Sequence, residues 1–201
     1  KNTSTTDEPE IQNYTLPYVN EQLLKLSFAS GQYSRYNVDK NFNTKQYEAL
    51  YQQWIESSVK RENADYIFVS NNQEHPTGFI TLVHKQSYAQ IGLIAVDRKF
   101  RGNGLGQKLI QKAIFTAFCG KFENIKVTTQ MQNSSACKLY EHCGFVVERS
   151  THVYHYWNRW YMHIPFNKPF LIGNETKYIE QAVRSGKISG DGIFTKKCHS
   201  F

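Results

Sequence analysis

A glycine-rich stretch flanked by basic residues is the part of the sequence best suited to chemistry. Gly102, Gly104 and Gly106 follow a β-like run that ends at Val96, and a helical pattern begins directly after them. Glycines there let successive backbone N–H groups turn toward one point, and a helix N-terminus adds partial positive charge. Four cations surround the turn: Arg98, Lys99, Arg101 and Lys108. The stretch therefore predicts a pyrophosphate site.

The spacing of the glycines decides which kind of phosphate site is predicted. The dinucleotide fingerprint GxGxxG fails because residue 107 is Gln, and the P-loop pattern GxxxxGK[ST] is absent. The pattern present is Arg-x-x-Gly-x-Gly, starting at Arg101. The alternative is an ordinary glycine-rich connection between a strand and a helix, with basic residues scattered around it.

A second segment, residues 127–145, follows about 30 residues after the first. It contains a strand, then Asn133 at a helix start, and then Leu-Tyr-x-x-x-Gly-Phe with Tyr140 as its second residue. Taken alone, Asn133 is a helix N-cap and Tyr140 is a core residue of an amphipathic helix. The two segments in this order are more specific than either by itself.

Together the two segments resemble the cofactor motifs of the GNAT acetyltransferase superfamily, over roughly residues 11–160. The resemblance implies an α/β GNAT fold, in which flanking helices cover a mixed, mostly antiparallel central sheet with splayed strands. It implies acetyl-CoA as co-substrate and no metal. The cofactor-binding residues implied are Ile94, Ala95, Val96, Arg101, Gly102, Asn103, Gly104, Leu105, Gly106, Gln107, Asn133 and Ala136.

The resemblance also implies how the two protons of the reaction are handled. Tyr140 is the implied general acid that protonates the leaving thiolate, and a backbone N–H near Ala95 or Val96 is the implied oxyanion donor. The general base stays open between a water chain and three side chains: Glu56, His84 and His155.

The segments 28–39 and 47–58, with 154–157, resemble the dTDP-fucosamine acetyltransferase group. That group acetylates the 4-amino group of a nucleotide-linked 4-amino-4,6-dideoxy sugar. The implied substrate residues are Ser34, Arg35, Tyr36 and His155. A hydroxyl, a forked cation and a phenol suit a sugar diphosphate, although Arg35 is equally well explained as a solvated surface charge. A protein, peptide or antibiotic amine is the alternative acceptor.

The chain divides into three predicted parts. Residues 1–10 are a flexible N-terminal segment, 11–161 the GNAT domain, and 162–201 a C-terminal extension. The extension resembles the truncated start of a sugar aminotransferase that uses pyridoxal phosphate, and an ordinary Gly/Pro-rich tail is the alternative. Without an initiating Met, the chain is expected to be a segment of a longer protein. The partners expected are the amino sugar, a second copy in a homodimer, and a fused or associated aminotransferase.

Composition excludes several classes of protein. Hydrophobic residues make up 40% of the 201, so the chain can form a core, and there is no apolar run long enough to span a membrane. The four cysteines show no metal-ligand spacing, which predicts reduced thiols and a cytoplasmic protein. The net charge of +7 suits an anionic partner. A nucleic-acid module is not expected, because the aromatic residues follow core periodicity. A catalytically silent linker domain is disfavoured by the intact loop and Tyr140.

Hydrophobic periodicity predicts the elements that hold these residues. Asn20 caps a helix that stops at Gly31, and Thr44 caps a second. A three-stranded antiparallel meander follows. The remaining expected elements are a first strand at 11–15, the meander strands 65–70, 77–85 and 88–96, helices over 104–118, 134–142 and 175–184, and strands over 124–129, 145–148 and 153–160.

Overall fold

The computed structural model of the protein describes residues 10–71, 73–157 and 173–186, which fall into two compact units divided after Ser150. The described residues of the first unit form five strands and five helices. They are β1 (Ile11–Asn13), α1 (Glu21–Ser30), α2 (Arg35–Val38), α3 (Thr44–Val59), β2 (Tyr66–Asn71), β3 (Pro76–His84), β4 (Ala89–Val96), α4 (Leu105–Cys119), β5 (Ile125–Val127) and α5 (Ser134–His142).

The five strands form one mixed sheet in the order β1-β2-β3-β4-β5. The pairs from β1 to β4 are antiparallel, whereas β5 is parallel to β4. The antiparallel meander is therefore confirmed, and the sheet has the mixed, mostly antiparallel character that was predicted.

Side chains alternate along the strands and build a core on each face of the sheet. On one face, α1 and α3 cover Ile67, Val69 and Phe79. On the other face, α4 and α5 cover Ile80 and Leu82. The sheet is consequently buried on both sides, and its strand ends are where functional groups can reach solvent.

Helix boundaries follow the capping residues closely. The side chain of Asn20 accepts a hydrogen bond from the Leu23 N–H and so begins α1, and Gly31 ends it, as predicted. The second helix predicted from the sequence is α3, and it begins one residue earlier than expected. Asn43, not Thr44, is its N-cap, and Asn43 forms a reciprocal capping box with Gln46. The short α2 was not predicted, nor was the 3-10 turn Arg98–Phe100.

The predicted strand over 145–148 is wrong, because this segment is irregular. The Phe145 N–H bonds to the Tyr140 carbonyl at the end of α5, and the Phe145 ring packs edge-on against Tyr140. Val146 and Val147 are exposed, and no ladder forms at these positions. High β-propensity is not sufficient for a strand when no partner backbone lies alongside.

The second unit contains α6 (Glu175–Arg184), which confirms the helix predicted over 175–184. The predicted strand over 153–160 is wrong for residues 153–157, which are irregular, and its remaining residues lie outside the described part of the chain. Most of the predicted extension over 162–201 also lies outside it. Among the described helices, none has the length and hydropathy to cross a membrane.

Candidate active site

The site is built around a gap between the parallel strands β4 and β5. Their ladder begins at the pair Ala89–Ile125 and ends at the pair Ile91–Val127. Beyond this point β4 continues to Val96, whereas the chain after β5 is irregular. The edge of β4 that faces β5 is therefore left open over its last residues. This agrees with the splayed strands that the family resemblance implied.

The glycine-rich loop lies at the end of this open edge. Gly102 and Gly104 have φ angles of +85° and +73°, which side chains rarely adopt, and a Cβ added at either would meet nothing within 4 Å. Gly104 is the N-cap of α4 and offers no side chain, so the first N–H groups of α4 have no capping side chain. This geometry fits a bound phosphate, which helix N-termini favour.

Gly106 has a packing role that was not predicted, and its predicted role in cofactor binding stays a prediction. A Cβ at this position would lie 3.0 Å from Leu139 Cδ2 of α5. Its missing side chain therefore allows α4 and α5 to pack closely, whereas Gly102 and Gly104 serve the loop conformation. Arg101 folds back across the loop, where its Nε donates to the Val96 carbonyl at 3.0 Å.

Alternation along β4 determines which backbone groups face the gap. The Asp97 N–H donates to the Thr77 carbonyl of β3 at 2.8 Å, so the Ala95 N–H also points toward β3. The N–H groups of Ile94 and Val96 then point to the open edge. Of the two residues expected near the oxyanion, Val96 has its N–H directed into the gap and Ala95 does not.

Asn133 and Ala136 lie at the start of α5, near the strand that borders the gap. Asn133 Oδ1 accepts from the Ala136 N–H at 3.2 Å, so Asn133 is an N-cap. Its Nδ2 makes no hydrogen bond with any described residue. The two roles considered for Asn133 are thus compatible, because the amide oxygen caps the helix and the amide nitrogen can still donate to a ligand.

Tyr140 is buried on α5, with 6% of its surface exposed. Its ring packs against Phe145, and its hydroxyl makes no hydrogen bond with the described residues. Burial is the main reason why the pKa of Tyr140 is raised to about 12, and the nearby Cys137 and Cys143 raise it further. The phenol is therefore neutral over the physiological range, and it is a weaker acid than an exposed tyrosine.

Three of the four residues predicted to bind substrate lie on the side of the sheet covered by α1 and α3, opposite Tyr140. Ser34 is buried beside Tyr51, where its hydroxyl is close enough to lower the Tyr51 pKa, although burial dominates and raises that pKa overall. The Arg35 guanidinium donates to the Tyr36 hydroxyl at 2.8 Å and lies 4.9 Å from the ring centroid. Tyr36 packs against the core under α1 and α3, whereas Tyr140 belongs to the core under α4. The predicted substrate residue Tyr36 and the predicted acid Tyr140 therefore pack in different cores, one on each face of the sheet.

One of the three candidate bases can be placed along the sheet from the strand register. His84 ends β3 opposite Ala89, six residues from the Gly78–Val96 pair, and this puts it about 20 Å from the loop end of the sheet. This distance is measured to the loop end and not to the thioester end of the cofactor arm, so His84 stays a candidate base. Glu56 lies on α3 and accepts a hydrogen bond from Gln52. His155, also predicted to bind substrate, belongs to the second unit, where its ring meets Trp157 edge-on.

The structure reveals polar contacts around β4 that the sequence analysis missed. The Thr81 hydroxyl accepts from the Leu93 N–H at 2.7 Å, beside the exposed Gly92. A glycine inside a strand pattern is a known signal of a bulge and could have indicated this site. Asp97 joins α1 to the loop, because its carboxylate accepts from Gln22 and from the Lys99 N–H. Within the described ranges, no three His, Cys, Asp or Glu residues are grouped as metal ligands would be.

Comparison with known proteins agrees with this geometry. N-alpha-acetyltransferase 30 of Homo sapiens is 39% identical over 69 residues, which is 33% of this chain and 19% of that protein. The spore coat polysaccharide biosynthesis protein SpsD of Bacillus subtilis is 26% identical over 137 residues, which is 68% of this chain and 47% of SpsD. The chain thus spans less than half the length of either relative.

Solved structures show the same fold at low identity. A structure from Pyrococcus furiosus is 21% identical with a TM-score of 0.56, and it aligns 74% of this chain with 100% of that one. A structure from Pyrococcus horikoshii is 24% identical with a TM-score of 0.52, over 71% of this chain and 93% of that one. The acetyltransferase (GNAT) family matches residues 26–145, more than half of the chain. The chain belongs to the acetyltransferase (GNAT) family.

Proposed function

We propose that this protein transfers the acetyl group of acetyl-CoA to the amino group of a nucleotide-linked 4-amino-4,6-dideoxy sugar. The main support for acetyl-CoA as the donor is the open edge of β4, which leads directly to the α4 N-terminus and the two positive-φ glycines. A pyrophosphate at Gly102 and Gly104 would place the arm of the same molecule along Val96 and Ile94. Family membership supports the same donor.

The reaction requires one bond to form and one to break. The neutral amine attacks the thioester carbonyl, so that a C–N bond forms, and the C–S bond then breaks. The amine loses its proton to a base, and the leaving thiolate gains one. The oxygen that becomes negatively charged can accept from an N–H of β4 that faces the gap, either that of Val96 or that of Ile94, which lies farther from the phosphate loop; both are fixed in a rigid strand.

Tyr140 is the residue we propose as the proton donor to the thiolate. It lies on α5 within the core that also contains Ile94 and Val96, and its hydroxyl is not engaged by another described residue. Its raised pKa keeps the phenol protonated before the reaction. A thiolate in water is a weaker base than this phenolate, because a thiol has a pKa of about 8.5, so the transfer requires a thiolate that forms in the same buried surroundings, where its own basicity is raised.

The sugar acceptor is supported by three observations. SpsD, whose name places it in polysaccharide biosynthesis, aligns with 68% of this chain. Arg35 and Tyr36 form a cation–phenol pair on the surface of the α1–α3 side, which suits a diphosphate and a nucleobase or sugar ring. The sequence resemblance described above names the same substrate class.

A protein amine is the second candidate, because the matches to N-alpha-acetyltransferase 30 reach 39% identity. These matches cover only 33% of the chain, and so they bear on the shared fold more than on the acceptor.

Competing acceptors test the proposal. Release of the CoA thiol would be followed with dTDP-4-amino-4,6-dideoxygalactose, with its epimer at C4, and with a peptide that has a free N-terminal Met. We expect kcat/KM for one of the sugars to exceed that for the peptide by at least about 100-fold, since a specific site discriminates by several kcal/mol. A higher value for the peptide would refute the sugar acceptor. An Arg35→Ala variant should raise the sugar KM and leave acetyl-CoA affinity unchanged.

A further inference from the structure

The direction of the backbone N–H groups changes partway along β4. The Ala89 N–H donates to the Asn124 carbonyl at 2.9 Å, on the β5 side. The Asp97 N–H, also at an odd-numbered position, donates to Thr77 on the β3 side. In an unbroken strand, residues separated by an even number point the same way. One extra residue must therefore lie between these two positions.

The pairing register locates this extra residue. Ile80 pairs with Ile94, whereas Leu82 pairs with Ile91, so β4 has one more residue than β3 between these pairs. Side chains confirm the change, because Ile91 belongs to the core under α4 and Leu93 to the core under α1. The bulge thus lies at Gly92 and Leu93, one residue past the last pair with β5.

Thr81 of β3 faces this bulge and is 2% exposed. Its hydroxyl, at 2.7 Å, accepts from the Leu93 N–H. A Cβ on Gly92 would lie 2.7 Å from the same oxygen, closer than real contacts allow. The hydroxyl therefore occupies the space that a side chain at residue 92 would need, and it satisfies a buried N–H inside the bulge.

We infer that Thr81 is a positioning residue for the acetyl-CoA site, an inference that rests on the proposed function. Its hydroxyl holds the bulge, and the bulge turns the N–H groups of Ile94 and Val96 toward the gap. Without the bulge, Leu93 and Ala95 would direct their N–H groups there, and every side chain in this part of β4 would change face. The contacts of the Thr81 hydroxyl described above are with Gly92 and Leu93 of β4, and it is through β4 that Thr81 would act.

Calorimetric measurement of acetyl-CoA binding tests the role of Thr81 without any acceptor amine. Two probes are compared: acetyl-CoA, and 3′-phospho-ADP, which has the pyrophosphate of CoA but no pantetheine arm. In Thr81→Val, which keeps the shape and removes the acceptor oxygen, we expect acetyl-CoA to bind about tenfold more weakly, because misdirected N–H groups lose their hydrogen bonds. The affinity for 3′-phospho-ADP should stay within about twofold, since the loop is intact.

Three further variants keep the test decisive. Thr81→Ser retains the hydroxyl and should restore acetyl-CoA affinity. Gly92→Ala should reproduce the Thr81→Val result at an exposed position, even if Thr81→Val does not fold. Thr77→Val removes another buried hydroxyl of β3, one that bonds to Ser70 and not to β4, and should change neither affinity.

Three results would overturn the inference: unchanged acetyl-CoA binding in Thr81→Val and Gly92→Ala, equal weakening of both probes, or failure of Thr81→Ser to restore binding. A wild-type protein that binds acetyl-CoA but acetylates no sugar would refute the sugar acceptor and leave the role of Thr81 standing. A wild-type protein that binds no acetyl-CoA would refute both.

Discussion

Replacing Tyr140 by Phe should remove the proton donor while leaving the fold almost unchanged. The ring contact with Phe145 is retained, and the hydroxyl makes no hydrogen bond with the described residues. No buried partner loses a hydrogen bond, so the free energy of unfolding near neutral pH should change by less than about 0.5 kcal/mol.

The effect on the chemical step should be much larger. A positioned acid contributes about 100- to 10,000-fold, so kcat should fall by at least about 100-fold, or roughly 2.7 kcal/mol in the activation barrier. The dissociation constant of acetyl-CoA should stay within about threefold, because the loop and the edge of β4 do not change. Steady-state kinetics with the preferred amine and calorimetry with acetyl-CoA measure the two quantities separately.

A matched tyrosine on the other face provides the control. The Tyr47 hydroxyl donates to the Phe28 carbonyl, so Tyr47→Phe removes a hydrogen bond that is satisfied. We expect this variant to lose about 1 kcal/mol of stability and to keep its kcat. If Tyr140→Phe retains kcat within threefold, or if both variants lose activity equally, Tyr140 is not the acid.

Other predictions concern stability and the loop. Because burial raises the pKa of Tyr140 from 10.0 to about 12, its neutral form stabilises the fold fully below pH 10, and this contribution is lost as the pH rises through 12. At pH 11.5 the wild type should have lost about 2 kcal/mol more than Tyr140→Phe in urea unfolding, and parallel pH curves would contradict the raised pKa. Gly104→Ala should cost about 1 kcal/mol and weaken acetyl-CoA binding, whereas Gly104→Asn, which tolerates the left-handed conformation, should cost less. Gly106→Ala should be destabilising, and Leu139→Ala should relieve part of that cost in a double-mutant cycle; additive effects would show that the two residues do not touch. Asn20→Ala should cost about 1–2 kcal/mol in thermal unfolding because it removes the α1 cap and the hydrogen bond that Asn20 Nδ2 donates to the Gln73 carbonyl, and a cost below about 0.3 kcal/mol would contradict both contacts.

Local patterns were enough to predict most elements of the first unit. The helices at Asn20 and Asn133 begin where a side chain can cap their first N–H groups, and such capping depends on residues three positions apart. The meander followed from alternating apolar residues. The strand predicted over 145–148 is wrong because a strand requires a partner backbone, and the local sequence does not show whether one lies alongside.

The glycine-rich loop contains one residue whose packing role could not be predicted from the neighbouring sequence. Three glycines at 102, 104 and 106 looked equivalent in the sequence, and all were expected to serve the phosphate site. The φ angles of Gly102 and Gly104 agree with that role, and Gly106 is in addition required for packing because Leu139 of another helix lies 3.0 Å from its missing Cβ. Which role a glycine has depends on what surrounds it in space.

Residues close together in the chain were enough to indicate the family, most of the elements and the positions of the loop and Tyr140. Tertiary structure decided the direction of the N–H groups of Ile94 and Val96, since the Thr81 hydroxyl that holds the bulge belongs to a different strand. It also decided the acidity of Tyr140, because burial by distant elements raises the pKa of a phenol.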